Sequence, residues 1–459
     1  MTSSPLTRRA FLQHSVAFGS GVAAASSVLR AAPGRSRTPN LIYILADDLG
    51  YGDVGCYGQE KIRTLSLDRM AAEGMRFTQH YAGSTVCAPS RCSLMTGQHT
   101  GHTLIRTNTR TPLRPEDVTV AELLKSAGYL TGAAGKWGLG HVGTTGDPNR
   151  KGFDHFFGYV DQGRAHFYYT EYLWRNGEQV ILEGNQAGKR GTYSHDLIAA
   201  EGLEFVRKNG DRPFFLYLPY TIPHAEVTVP EDSLAEYRGK FPEKPYEGSH
   251  YCSQETPNAA RAGMITRMDR DIGRLLDLLR ELGLDQDTLV MFSSDNGPCS
   301  AGGQDYRFFN SQGPLRGTKG GLYEGGIRVP MIARWPGKIE AGTVNDHVSA
   351  FWDVLPTFAE LAGVAPRDDT DGISMVPTLL GRDNEQRQHE YLYWEYRGAQ
   401  AVRMGDWKAV RTNGGDVELF NLKADIGEKS DVAAAHPDVV ARAKRIMEAA
   451  TTGPFPGAA

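Results

Sequence analysis

Cys87-Ala88-Pro89-Ser90-Arg91 places a thiol, a proline and a guanidinium within one short stretch. Proline suits the first turn of a helix, where its missing N–H would have no partner anyway. Cys87 then sits at the helix mouth, where free N–H groups and the positive end of the dipole favour an anion. Arg91, four residues on, shares that face of the helix. A nucleophile and a fixed cation beside an anion hole suit the transfer of an anionic group.

Such a centre needs elements to position it. Asn40–Ala46, Pro213–Leu218 and Thr288–Ser293 are apolar runs of buried-strand length. Each ends near polar residues: Asp47-Asp48, Pro223-His224 and Asp295-Asn296-Gly297-Pro298. Helical patterns lie at 66–75, 120–127, 195–208 and 259–282. Buried strands alternating with helices predict an α/β fold, a large sheet covered by helices on both faces. In such sheets ligands gather beyond the carboxyl ends of the strands, where all three polar clusters fall. After about Asp346 the texture changes. A helix at 353–362, a Pro/Asp-rich link at 365–371, alternating runs at 390–396 and 401–411 and a last helix at 437–449 follow. They predict a smaller antiparallel sheet with a packed helix.

The chain has 459 residues, enough for about three ordinary domains or fewer large ones. Hydrophobic residues make up 40% and charged residues 23%, which excludes a disordered chain. Net charge is −4 without a long basic block, so nucleic acid is not an expected partner. Five cysteines, Cys56, Cys87, Cys92, Cys252 and Cys299, are too few and scattered for a disulfide scaffold. At the N-terminus Arg8-Arg9 precedes a weakly apolar stretch from Val16 to Leu29. It resembles a twin-arginine export signal over residues 1–32, too short and small-sided for a membrane span. Its removal takes three arginines and no acid, so the mature chain is more negative still. A periplasmic or secreted product without a membrane span is expected, with a catalytic domain over 33–350 and a C-terminal subdomain over 351–459.

C-x-P-S-R followed by Thr96-Gly97 resembles the signature of the type I sulfatases, in the alkaline phosphatase superfamily. Asp47-Asp48, Gly135-Lys136-Trp137, Pro223-His224, Asp295-Asn296-Gly297 and the run from Gly317 to Gly326 follow in that family's order. Singly, each piece has a plainer use: Asp-Asn-Gly-Pro is an excellent turn, and a lone cysteine is a small buried hydrophobe. Together they resemble most the arylsulfatase A and N-acetylgalactosamine sulfatase branch, over nearly the whole mature chain.

The resemblance implies a sulfuric ester hydrolase whose Cys87 is oxidised to formylglycine by a separate maturation enzyme. Its hydrated aldehyde would attack sulfur, form a covalent sulfo-enzyme and expel sulfate. Asp47, Asp48, Asp295 and Asn296 are hard oxygen donors, suited to Ca²⁺ or Mg²⁺ rather than zinc. In the family these positions hold one divalent ion, usually calcium, against the residue at Cys87. An extended strand would point Asp47 and Asp48 to opposite faces, so the chain must turn between them. By resemblance Arg91 polarises the formylglycine, Lys136 and Lys319 grip sulfate oxygens, and His224 assists leaving-group protonation.

One position departs. The family usually carries G-K-W-H-x-G, and here its histidine is Gly138, in Gly135-Lys136-Trp137-Gly138-Leu139-Gly140-His141. Either His141 swings in, or that proton-removing role is shared or lost. Gln162, His166, Tyr168, Tyr169 and Trp174 form an aromatic, polar insertion suited to a sugar, with His166 a candidate substrate contact. Trp394 and Tyr396 are candidates to approach from the C-terminal unit. The expected substrate is a sulfated small molecule or glycan. Phosphate or phosphonate monoester hydrolysis, and an idle carbohydrate-binding relative, are the rival readings.

Overall fold

Asn40–Ala46 forms β1, buried at every residue, as an interior strand covered on both faces must be. The computed structural model describes residues 38–248, 250–365 and 367–452, so the expected export signal at 1–32 lies outside the described residues. In chain order the next strands are β2 (Met75–Tyr81), β3 (Leu130–Lys136), β4 (His155–Tyr159), β5 (Tyr172–Arg175) and β6 (Glu178–Ile181). Then come β7 (Phe214–Pro219), β8 (Thr288–Ser294), β9 (Arg328–Arg334), β10 (Thr343–Asn345) and β11 (Ser349–Ala350). These eleven form one sheet in the order β10-β2-β9-β8-β1-β7-β3-β4-β5-β6, with β11 on β2. β1 pairs in parallel with β7 and β8, and β3 in parallel with β7 and β4. β9 runs antiparallel to β8 and β2, and β5–β6 form an antiparallel extension beyond β4.

The longer helices are α1 (Leu65–Ala72), α2 (Cys87–Thr96), α3 (Val120–Ser126), α4 (Ser194–Asn209), α5 (Pro257–Glu281), α6 (Val354–Leu361) and α7 (Pro437–Ala449). Strand periodicity divides β1 between two cores. Ile42 and Ile44 pack with Ile198 of α4 and Met268, Ile272 and Leu275 of α5. Leu41, Tyr43 and Leu45 pack on the other face with α2, α3 and α6. The helix expected over 66–75 stops at Ala72, because Gly74 lies where a Cβ would meet Ala333 O and Met75 already pairs with β9.

β12 (Leu392–Tyr396), β13 (Ala399–Met404), β14 (Trp407–Arg411) and β15 (Val417–Asn421) make a separate antiparallel sheet. α7 lays Ala443 and Met447, one turn apart, on it. The expectation that Trp394 approaches substrate is corrected here. Its ring is fully buried and its indole N–H donates to Ala82 O at 2.9 Å. Trp394 belongs with Tyr81, Leu322 and Trp352 to the core that fastens the small sheet to the large one, and Tyr396 packs at its margin.

Candidate active site

Parallel pairing sends the carboxyl ends of β3, β7, β1 and β8 to the same edge. Ala46 is in register with Ser294, and the next N–H, of Asp295, donates back to Ala46 O at 3.0 Å. Asp47 and Asp295, 248 residues apart in the chain, therefore emerge side by side. Asp48 takes φ +64°, the turn needed to bring both aspartates to one centre. Lys136 is the last residue of β3, and His224 follows β7 by a short loop. α2 begins at Cys87 and is buried throughout.

The distances make one cluster. Cys87 Sγ lies 3.3 Å from Asp47 Oδ1 and 3.4 Å from Lys319 Nζ. Lys136 Nζ donates to Asp47 Oδ2 at 2.6 Å, and Arg91 Nη2 is 3.3 Å from the same oxygen. Arg91 also grips Asp295 Oδ2 through Nε at 3.1 Å and Nη2 at 2.8 Å, and donates to Lys136 O. Lys319 Nζ bridges both oxygens of Asp48 at 2.6 and 2.9 Å. His224 Nε2 is 3.4 Å from Asp48 Oδ2. The Tyr168 hydroxyl reaches Thr221 O and His224 O, which fixes the histidine loop. Cys299, one residue past the Asp-Asn-Gly-Pro turn, adds its thiol at 3.1 Å from Asp48 Oδ2, a contact the sequence reading missed.

Burial sets the electrostatics. It opposes charge on Asp47, but Lys136, His224, Arg91 and Lys319 outweigh it and hold that carboxyl well below its ordinary range. Asp48, buried too, is brought down to about 2 by Lys319 and His224. Asp295 goes the other way, to about 6, through burial and the charge of Asp47. Burial, reinforced by Asp47, pushes the Cys87 thiol far up, so the unmodified thiol is protonated and a poor nucleophile. His224 falls to about 4 through burial, although Asp48 opposes.

His141 is not brought to this centre. It sits on the rim, 37% exposed in its side chain, with Nε2 3.7 Å from Asp161. The second imidazole of the site is His166, whose ring stacks on His224 at 4.2 Å. Burial, with His224 and Lys136 nearby, lowers it to about 2. At Gly138 the backbone has φ +75°, and a Cβ there would lie 2.4 Å from Gln162 Oε1. The Gln162 amide thus lies against the position of the family histidine, both its polar atoms buried without a partner.

The donors fit a divalent cation. Ligand atoms of Asp47, Asp48, Cys87 and His224 lie within 4.8 Å of one another. Asn296 donates through Nδ2 to Asp48 and Gly297, while its Oδ1 is buried with no partner. An orphaned buried carbonyl costs about 1–3 kcal/mol, and a hard cation relieves it.

A mixed, mostly parallel sheet with a buried cysteine, carboxylates, lysines and an arginine at its carboxyl edge defines a hydrolase centre for anionic esters. The Sulfatase family matches residues 39–364, and the C-terminal region of N-sulphoglucosamine sulphohydrolase matches 318–448. The chain belongs to the sulfatase family, and it is a sulfuric ester hydrolase of the type I branch that includes arylsulfatase A and N-acetylgalactosamine-6-sulfatase. It is 34% identical to arylsulfatase A of Homo sapiens, over 90% of this chain and 87% of that protein. It is 30% identical to the N-acetylgalactosamine-6-O-sulfatase of Bacteroides thetaiotaomicron, over 91% and 94%. Among solved structures, Ps i-CgsB in complex with k-i-k-neocarrahexaose is 30% identical with a TM-score of 0.77, over 90% and 92%. Membership implies a divalent metal and formylglycine.

Proposed function

We propose that this protein is an exported carbohydrate sulfatase that works through formylglycine at position 87 and one Ca²⁺. The observation that carries the reading is Cys87 Sγ within 3.4 Å of both Asp47 Oδ1 and Lys319 Nζ at the mouth of α2. Asp47, Asp48, Asp295 and Asn296 would hold the ion, which would supply Lewis-acid chemistry at the residue in position 87. Formylglycine would supply a hydrated aldehyde, a nucleophile that the protonated thiol of Cys87 is not. A ligand shell of several carboxylate and amide oxygens supports calcium over Mg²⁺.

The chain's own groups then have separate tasks. Arg91, anchored on Asp295, orients the residue at 87 one turn up its helix. Lys136, fully buried, and Lys319, largely buried, offer ammonium groups to sulfate oxygens where low solvent exposure lets such charges act strongly. His224 would assist leaving-group protonation, with His166 stacked on it at 4.2 Å, while the Gln162 amide occupies the space beside Gly138. The match of this chain to enzymes named for N-acetylgalactosamine 6-sulfate supports a sugar of galactose type. The arginine pair at Arg8 and Arg9 supports export by the twin-arginine route, with the catalytic part at 33–350 and the smaller unit at 351–459. Among the described residues no helix is long and apolar enough to cross a membrane.

Turnover of nitrophenyl sulfate against nitrophenyl phosphate tests the class, beside the intact mass of the peptide containing residue 87. Sulfate turnover in proportion to the converted fraction is expected. Converted protein that hydrolyses the phosphate and not the sulfate would overturn the reading. A panel of sulfated sugars then tests the substrate.

A further inference from the structure

A groove of about 830 Å³ runs alongside the catalytic cluster, within the size range of about 300–1,000 Å³ typical of ligand sites. His166 belongs to both: its ring stacks on His224 and also lines this groove. The groove therefore adjoins the reacting centre at His166, and a group joined to the scissile sulfate can extend into it.

Its walls have a definite chemistry. Trp174 and Tyr172 meet edge to face, their centroids 5.9 Å apart, and both line the groove. Such rings offer an apolar surface to the C–H face of a sugar and leave its hydroxyls to polar neighbours. Two guanidinium groups accompany them. Arg164 stacks over the Tyr172 ring at 4.0 Å and donates to Thr170 Oγ1, and it has no carboxylate partner among the described residues. Arg110 is exposed, lines this groove and a smaller adjoining one of about 240 Å³ beside Gly138, and has no ion pair among the described residues. Two carboxylates share the walls. The Asp161 carboxylate accepts from the backbone N–H of Arg164 and lies 3.7 Å from His141 on the rim, and Glu171 is the other. Neither guanidinium is spent on either carboxylate, so both are available to an anion, and stacking holds one of the pair in place.

We infer that this groove binds a second anionic group of the substrate, carried outside the scissile sulfate, through Arg110 and Arg164, with its sugar ring against Trp174 and Tyr172. This deepens the sulfatase reading and rests on it. The preferred substrate is then an oligosaccharide bearing at least two negative groups, rather than a lone monosulfated sugar. The second anion is a sulfate or a uronate carboxylate, and both present a pair of oxygens that a guanidinium can bind bidentately.

The test uses the full-length matured enzyme, the Arg110→Ala/Arg164→Ala variant and the single Trp174→Ala variant. The probes are nitrophenyl sulfate, N-acetylgalactosamine 6-sulfate, a disulfated disaccharide and a monosulfated disaccharide containing a uronate. The ratio of kcat/KM for a doubly anionic probe to that for nitrophenyl sulfate should fall at least about tenfold in the double variant, through KM. Whichever doubly anionic probe shows the larger fall identifies sulfate or carboxylate as the second group. Calorimetric titration of the disaccharides into a Cys87→Ala background gives a readout independent of turnover. Binding there should weaken with added salt and with loss of the two arginines. An unchanged ratio together with unchanged binding overturns the inference, as does equal loss on nitrophenyl sulfate. If the parent enzyme turns over no sulfate while calorimetry still shows arginine-dependent binding, the sulfatase reading fails and the groove stands.

Discussion

At the scale of single residues, the departure at Gly138 is the most informative. A histidine restored there would push its Cβ to within 2.4 Å of Gln162 Oε1 and would have to adopt φ +75°. Gly138→His is therefore expected to lower both stability and turnover, and Gln162→Ala should recover part of the loss. A double-mutant cycle in urea and in kcat/KM would detect that coupling. His224 gives a second expectation. A general acid contributes about 10²- to 10⁴-fold when the leaving group is a poor one. His224→Ala should cost that much on a sugar sulfate and much less on nitrophenyl sulfate, whose phenolate leaves without help. Equal losses on both would assign His224 to binding instead. Asp48→Ala should reduce affinity for divalent metal by more than about 100-fold, since even outer partners of a ligand are worth 10- to 100-fold. Metal titration by calorimetry measures this directly.

At the scale of elements, the small C-terminal sheet contributes its charge to the catalytic part. Lys408 of β14 reaches Glu324 at 2.9 Å, in a position with no solvent exposure for either side chain. Arg328 and the Tyr81 hydroxyl hold the same carboxylate. Burial alone would raise Glu324, yet Lys408, Arg328 and Arg403 together bring it down to about 2. Its carboxylate therefore stabilises the fold above its ordinary value of 4.5, and that contribution is lost as the pH falls through about 2. Glu324→Gln should flatten the acid limb of a urea-stability profile in that interval. Lys408→Met leaves Glu324 buried with fewer partners and should cost about 3–5 kcal/mol, the scale for a broken buried pair. A loss below 1 kcal/mol would show that the two sheets are fastened by Trp352, Trp394 and their neighbours alone.

At the scale of the whole molecule, four strand ends and one helix mouth are held so that carboxylates, a thiol and three cations share one buried volume. Taking these charges out of water is a cost that their ion pairs offset in part and that the two cores on either face of the sheet must carry. A divalent ion that binds the folded chain alone adds stability by mass action, about 2.7 kcal/mol at a hundredfold excess over its Kd. Thermal unfolding of the full chain should thus shift upward with added Ca²⁺ and fall with a chelator. An unchanged midpoint would count against the cation site.

Local patterns in the chain were enough to find the strands at 40–46, 214–219 and 288–294, the helices at 194–209, 257–281 and 437–449, and the residues set at their ends. Those signals are short-ranged: apolar runs, 3.6-residue periodicity, a proline at a helix start. Strands β2, β3, β4 and β9 were not legible, because Gly132, Gly135 and Gly158, or alternating polar residues, break the apolar run that marks a buried strand. The roles of Cys87, Asp47 and Asp295 came from motif order, but their adjacency depends on parallel register between segments more than two hundred residues apart. The same holds for His166 and Trp394, which look alike as polar-flanked aromatics in the chain. Which of them meets His224 and which is buried under Ala82 O is decided by long-range packing, because a side chain's neighbours are set by the sheet and not by its own sequence.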